Sequence, residues 1–273
     1  MKKLDRTIIE QINEMLNLDL SAFDEDFLLS MIEKRIDATN HLIPDSYLQF
    51  MAGNPEEKEL LLGTLQVGFS EFFRNPLTFA TLEQIVLPAL VLAKRNAPSN
   101  EIRAWSAASA AGQEAYSVAM LLEELKSGSN IDLRYRIFAT DLSEKILGEA
   151  QLGKYSSSAL KNVSLKRVER WFTKSGDYYA VDPGLKRNID FSAFDLLDPT
   201  MGSPAASIFG SFDLVFCANI LFYYQPKQQK NILDKIAKCL SLEGFIVTGE
   251  IEREILLKLG YTEIFPHSAI FRK

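Results

Sequence analysis

From residue 102 onward the chain alternates short apolar runs with helical stretches, and this alternation restricts the fold more than any other feature. The runs "IRAWS" (102–106), "YRIFATD" (135–141), "NIDFSAF" (188–194), "FDLVFCA" (212–218) and "GFIVTGE" (244–250) read as strands. Helical patterns lie between several of them: "EAYSVAMLLEELK", "EKILGEAQLG" and "PKQQKNILDKIAKCL". Strand–helix alternation implies a parallel sheet covered on both faces. The closing "YTEIFPHSAIFRK" predicts two last strands joined by a Pro-His-Ser turn. The stretch "WFTKSGDYYAVDPG" breaks the rhythm and reads as a small β insertion, with turns at Ser175-Gly176 and Pro183-Gly184. Before residue 95 the pattern is helical: "DEDFLLSMIEKRI" and "PEEKELLLGTLQVGF" place apolar residues at three-to-four spacing behind acidic starts. The expected division is a helical N-terminal domain (1–66), a connecting helical segment (67–95) and an α/β domain (96–273), with 155–191 as a candidate β subdomain.

Bulk chemistry removes several function classes. A net charge of −6 disfavours a nonspecific grip on nucleic acid. Cys217 and Cys239 sit in apolar surroundings without CxxC spacing, which reads as reduced core residues of a cytoplasmic protein. His41 and His267 are far apart in sequence, so no metal site is expected. The start "MKKLDRTIIEQINEML" turns amphipathic too soon for a signal peptide. The most apolar stretch, "TLEQIVLPALVLAK", is interrupted by Glu83, Gln84 and Pro88, so no membrane insertion is expected.

Residues 105–117, "WSAASAAGQEAYS", concentrate small side chains between a strand and a helix. In a doubly wound sheet ligands bind beyond the carboxyl ends of the strands, where strand order reverses. Small residues let a ligand approach the backbone there, beside the free N–H groups of a helix start. Glu114 occupies the first helical turn. It either offsets the helix dipole or faces a cationic group on a ligand. Asp141 ends the second strand, where it either takes ribose hydroxyls or caps a helix as the first residue of "DLSE". Asp195 follows the third strand, as an acceptor for an adenine amino group or as a turn acid before Pro199. Three acids after three successive strands suit adenine, ribose and a positive charge, which describes S-adenosylmethionine (SAM) better than a dinucleotide. "SAASAAG" also lacks the spaced glycines that admit a pyrophosphate.

At these residues the sequence resembles the chemotaxis CheR family of SAM-dependent protein-glutamate O-methyltransferases. The segments that carry the likeness are "FSEFFRNPLTFATL", "IRAWSAASAAGQEAYSVAMLL", "IFATDLSEKILGEAQLGKYS", "FDLVFCANILFYYQPKQQKNIL" and "FPHSAIFRK". The resemblance implies a class I SAM methyltransferase fold, a Rossmann-like mixed sheet with helices on both faces, behind an all-helical N-terminal domain. It further implies that Glu114 holds the methionine end of the cofactor, Asp141 the ribose, and Asp195 with Leu196 the adenine. Arg74 and Tyr223 fall beside cofactor and acceptor as the catalytic pair. Ser70, where the family has threonine, and Cys217 and Ala218 fall in the cofactor-binding set. Three departures accompany the match: Gly68 for asparagine, Ala218 for arginine, and "GEIE" (249–252) for GHSE.

Methyl transfer to a glutamate is an in-line displacement by a carboxylate that is ionised at neutral pH, so it requires alignment rather than a general base. The partner the resemblance implies is a chemoreceptor-like protein with methyl-accepting glutamates, met by a monomeric enzyme. The family's basic N-terminal docking helix has little counterpart. Residues 1–66 carry six Lys and Arg against thirteen Asp and Glu, and only "EKR" (33–35) echoes it. Ala218 and Gly68 keep open a second expectation, a SAM-binding regulatory or scaffold protein with reduced or lost catalysis.

Overall fold

The computed structural model describes residues 6–16, 19–41, 43–65, 68–95, 99–128, 133–207 and 210–272. The chain divides into two compact units, Met1–Val67 with Leu221–Lys230, and Gly68–Ile220 with Asn231–Lys273.

The first unit holds α1 (Arg6–Leu16), α2 (Glu25–Ala38), α3 (Pro44–Ala52) and α4 (Pro55–Leu65). Asp24 caps α2 by accepting from the Phe27 N–H at 3.0 Å, and Leu28, Ile32 and Ile36 recur every four residues on its buried face. They pack with Ile12, Tyr47, Met51 and Leu61. Inside this core Arg35 donates two hydrogen bonds to Glu57, at 2.9 and 2.6 Å, and the Tyr47 hydroxyl donates a third at 2.9 Å. Arg35 is therefore spent on a buried carboxylate. Of the "EKR" cations, the docking reading keeps Lys34 alone. Residues 221–225 join this unit through Phe23 and Phe27. The rings of Phe23 and Tyr224 stack at 5.2 Å, those of Phe27 and Tyr223 lie 4.7 Å apart, and the Asp24 N–H donates to the Tyr223 carbonyl at 2.8 Å.

The second unit opens with α5 (Pro76–Thr81), a π-helical turn (Leu82–Val86) and α6 (Leu87–Lys94). Pro88 cannot donate to the preceding turn, and the Leu87 N–H reaches back to the Leu82 carbonyl. Glu83, Gln84 and Pro88 thus widen the helix without ending it. By length and composition Pro76–Lys94 could cross a membrane, contrary to the sequence expectation, but Leu82, Val86, Leu87 and Leu90 are buried in the protein core.

Next come β1 (Glu101–Ser106), α7 (Gln113–Gly128), β2 (Arg134–Asp141), α8 (Glu144–Leu152), β3 (Lys154–Ser156), α9 (Leu165–Trp171), β4 (Phe172–Ser175), β5 (Tyr178–Val181), α10 (Pro183–Lys186), β6 (Ile189–Ala193) and β7 (Phe212–Cys217). The unit closes with α11 (Pro226–Cys239), whose first turn groups with the first unit, then β8 (Leu240–Thr248), α12 (Arg253–Lys258), β9 (Thr262–Glu263) and β10 (Ile270–Arg272). Seven strands form one sheet in the order β6-β2-β1-β7-β8-β10-β9. The first five run parallel, and β10 is antiparallel between β8 and β9. Strand order reverses at β1, with β2 on one side and β7 on the other, which opens a crevice at their carboxyl ends.

A separate antiparallel sheet, β3-β5-β4, lies within 154–181, while 189–193 joins the main sheet. Gly176, at φ +61°, turns β4 into β5. The second expected turn differs: Asp182 caps a short helix at Pro183-Gly184, accepting from the Gly184 N–H at 2.7 Å.

The loop after β1 relies on Gly112. Its φ is +87°, and a Cβ there would lie 2.9 Å from the Ala150 Cβ and 3.3 Å from the Phe191 and Tyr116 rings. Gly112→Ala is expected to lower unfolding stability by about 2 kcal/mol, from backbone strain plus overpacking. Urea denaturation followed by far-UV circular dichroism measures it, and an unchanged midpoint would contradict the close packing.

Candidate active site

The loop at residues 107–112 is tied to both strands that flank β1. The Ala107 N–H donates to the Phe216 carbonyl at 2.9 Å, and the Ser109 N–H to the Thr140 carbonyl at 2.8 Å. The Ala110 N–H donates to Asp141 Oδ2 at 2.9 Å. Ala110 accepts a left-handed backbone at φ +46° to make that contact. The other oxygen of Asp141 accepts from the Ser143 N–H at 3.1 Å. The helix cap is Ser143, whose hydroxyl accepts from the Ile146 N–H, so the reading of Asp141 as the cap of α8 is corrected. Asp141 instead holds the small-residue loop.

Glu114, in the first turn of α7, accepts a hydrogen bond from the Ser106 hydroxyl at 2.6 Å. Burial pushes its carboxyl up to about 7, against the Ser106 bond and the Arg74 charge, which pull it down. It lines a cavity of about 270 Å³, together with Ser70, Arg74, Asn75, Ala108, Ala218 and Thr248. Phe79, Phe216 and Val247 give this cavity an apolar wall.

The residue before Arg74 has an unusual backbone. Phe73, at φ +48°, is left-handed without being glycine, and its N–H donates to the Ser117 hydroxyl at 3.1 Å. Strained residues of this kind persist where surrounding structure holds them and cluster at functional sites. Arg74 then lies beside the Phe69 ring, 5.4 Å from its centroid. Asn219 is a third left-handed residue, at φ +61°. Its N–H and the Gly249 N–H both donate to Glu252 Oε2, each at 2.7 Å.

Of the residues singled out in the sequence, Ser70, Arg74, Glu114 and Ala218 meet in this cavity. Asp141 is the last residue of β2 and Asp195 lies two residues past the end of β6, on the same edge of the sheet and outside the cavity wall. Asp195 Oδ1 accepts from the Leu197 N–H at 2.8 Å, a turn-forming bond. Leu196 lines a different cavity, of about 570 Å³, with Pro199, Lys235 and Lys238. Cys217 is fully buried at the end of β7, and its thiol is pushed well up by burial. Tyr223 belongs to the first unit, against Phe27. Sequence reasoning missed Ser106, Phe73, Asn219 and Glu252. Ser106 carried a signal, since a hydroxyl at the end of β1 lies next to the loop that ends in Glu114.

These features fit a cationic ligand. A carboxyl raised to about 7 beside an arginine is still undercompensated, so the cavity favours an added positive charge. Two buried wall atoms, Asn75 Nδ2 and Thr248 Oγ1, have no hydrogen-bond partner among the described residues.

Residues 68–262 match the CheR methyltransferase, SAM binding domain. The chain belongs to the CheR methyltransferase family. It is 32% identical over 199 residues to the chemotaxis protein methyltransferase Cher2 of Pseudomonas putida, covering 71% of this chain and 69% of that protein. It is 28% identical to the chemotaxis protein methyltransferase of Listeria monocytogenes, covering 87% and 85% of the two chains. The Borreliella burgdorferi chemotaxis protein methyltransferase is 28% identical, over 76% and 71%. The fold is that of a class I SAM methyltransferase, and the cofactor of the family is SAM. Counting only its own strands, the main sheet reads 3-2-1-4-5-7-6.

The raised Glu114 carboxyl also has a stability cost with a definite sign. The folded value, about 7, exceeds that of an unfolded glutamate, so the folded state holds more protons between roughly pH 4.5 and 7. Stability contributed by this group is thus lost as pH rises through that window. Glu114→Gln, which keeps a partner for Ser106, is expected to stabilise the protein at pH 8 by up to about 3 kcal/mol and to change little at pH 4.5. Chemical denaturation at the two pH values tests it, and equal effects at both would exclude the undercompensated carboxylate.

Proposed function

We propose that this protein transfers the methyl group of SAM to glutamate side chains of a chemoreceptor-like signalling protein in the cytoplasm, acting as a monomer. Glu114 and Arg74 on one cavity carry the reading. They put an anion for the cofactor's ammonium beside a cation for the acceptor carboxylate.

The residues assigned to the cofactor follow the charges. Glu114 would hold the α-ammonium of the methionine end, and its Ser106 bond fixes which way the carboxylate points. Asp141 would take the ribose hydroxyls, with its own orientation set by the Ala110 and Ser143 N–H groups. Asp195 and Leu196 would flank the adenine. Ser70 would offer a hydroxyl, and Cys217 and Ala218 the backbone at the end of β7. When bound, SAM supplies an electrophilic methyl group on a sulfonium.

The acceptor side follows from Arg74. A guanidinium can grip a carboxylate through two parallel N–H bonds and aim one oxygen without protonating it. Phe79, Phe216 and Val247 line the cavity with apolar surface, which would favour a step in which opposite charges cancel. The family motif also assigns Tyr223 to the methyl path; within the first unit its ring packs on Phe27.

Arg74→Ala is expected to lower methyl transfer at least about a hundredfold while cofactor affinity changes little. A tritiated-methyl assay beside calorimetry separates the two, and an unimpaired rate would remove Arg74 from the mechanism. The label transferred to protein from radioactive SAM in a lysate should be released by alkali, as a glutamyl ester is; a base-stable label would exclude glutamate as acceptor. Cofactor affinity should rise with pH through about 7, as Glu114 ionises, and become flat in Glu114→Gln. Titration calorimetry between pH 6 and 8 checks this.

A further inference from the structure

Arg74 ends a segment, 71–74, whose other three side chains are each held by the stretch of chain that runs from β3 to β4. Glu71 accepts from Lys161 at 2.5 Å and from Asn162 at 3.3 Å. Phe72 is wholly buried and packs edge-on against the Tyr155 and Phe172 rings, with centroids 4.9 and 5.5 Å away. Over the Phe73 ring lies the guanidinium of Arg167, 4.7 Å from the centroid. Arg74 is the one exposed side chain of the four, and it lines the cavity.

Arg167 is itself pinned. Its Nε and Nη2 donate to the Glu124 carboxylate, at 3.1 and 2.7 Å, and Nη2 donates to Glu83 as well, at 3.0 Å. Glu124 is fixed in turn by the Trp171 indole N–H, which donates to it at 3.1 Å. A planar fork held by two carboxylates cannot turn freely, so its flat face stays on the aromatic ring. A lysine would serve the two acids as a point charge but has no plane to lay on Phe73.

Phe73 needs such support. A bulky residue seldom adopts φ +48°, and it stays there only while its surroundings hold it. Besides Arg167, the ring of Phe79 packs on it at 5.1 Å, and the Ser117 hydroxyl accepts its N–H. Ser117 donates onward to the Gln113 carbonyl at 2.7 Å, in the turn of α7 that carries Glu114. A return of Phe73 to negative φ would redirect the next Cα–Cβ bond, and Arg74 would swing off the wall it shares with Glu114.

We infer that Arg167 is a positioning residue for the methyl-transfer site: its guanidinium, held by Glu83 and Glu124, keeps Phe73 in the backbone conformation that aims Arg74 into the cavity. Arg167 is not among the residues that line the cavity and acts through Phe73. This rests on the reading of Arg74 above and adds the residue that places it.

The test uses full-length protein with SAM as the probe. Arg74 draws the Glu114 carboxyl down, so an Arg74 that leaves the cavity lets it rise further. The pH midpoint of SAM affinity, followed by titration calorimetry between pH 6 and 9, reports that change. Arg167→Lys keeps a cation between Glu83 and Glu124, so a shift cannot come from lost charge. It is expected to raise the midpoint by about half a pH unit, as Arg74→Ala does. Phe73→Leu, which removes the ring face and no charge, should raise it too. Added to Arg74→Ala, Arg167→Lys should shift nothing more, whereas a general loosening of the fold would not move the midpoint in any background. Tritiated-methyl transfer to lysate protein should be about tenfold slower in Arg167→Lys. A wild-type midpoint in both Arg167→Lys and Phe73→Leu, a further shift in the double variant, or an unchanged rate would overturn the inference and leave the role of Arg74 standing. A wild-type midpoint in Arg74→Ala would overturn the reading of Arg74 beside Glu114, and this inference with it.

Discussion

Three backbone N–H groups in the loop after β1 hold the site open. Ala107 bonds to β7, Ser109 to β2, and Ala110 to the Asp141 carboxylate, so the loop is stretched across the point where strand order reverses. Side chains larger than those of "SAASAAG" would fill the space that this arrangement leaves above the strand ends. The tether also fixes where α7 begins. That places Glu114 against Ser106, one strand end away, and turns its carboxylate toward the cavity.

The site is paid for in local conformation. Phe73, Ala110 and Asn219 are left-handed without being glycine, and each belongs to a segment that borders the cavity or the tethered loop. Glu114 is held in a poorly solvated place where ionisation is unfavourable. The same left-handed backbone occurs at Asn40 and Ser211, away from this cavity, so it is the poorly solvated Glu114 carboxyl that sets the cavity apart. The buried Glu252 acts differently. It satisfies two N–H groups at once and makes the cavity's outer lip rigid.

The two units use their charge in contrasting ways. In the first, Arg35 and the buried Glu57 neutralise each other with help from Tyr47. In the second, Arg74 stays exposed at the cavity beside Phe69, with no ion pair among the described residues. The same residue type is therefore paired with a buried carboxylate in one place and left exposed on a cavity wall in the other. The sequence distance to an acid does not reveal which.

Strands, helices and the helical first unit were legible because side-chain periodicity and turn residues report local burial. "IRAWS", "YRIFATD" and "FDLVFCA" each became a strand within a residue or so of the expected ends. Glu114 and Arg74 were legible as well, the first by its place after a run of small residues and the second through the family segment. The order of the strands, the meeting of Arg74 with Glu114 in one cavity, and the diversion of Leu196 to another were decided by tertiary structure. So were the roles of Asp141 and Glu252, whose neighbouring residues offer ordinary helix-capping explanations. Periodicity describes a residue's nearest turn of chain. Cavities and tethers arise from register between strands tens or hundreds of residues apart, such as Ser106 with Ala139 and Phe216, and no local pattern encodes that.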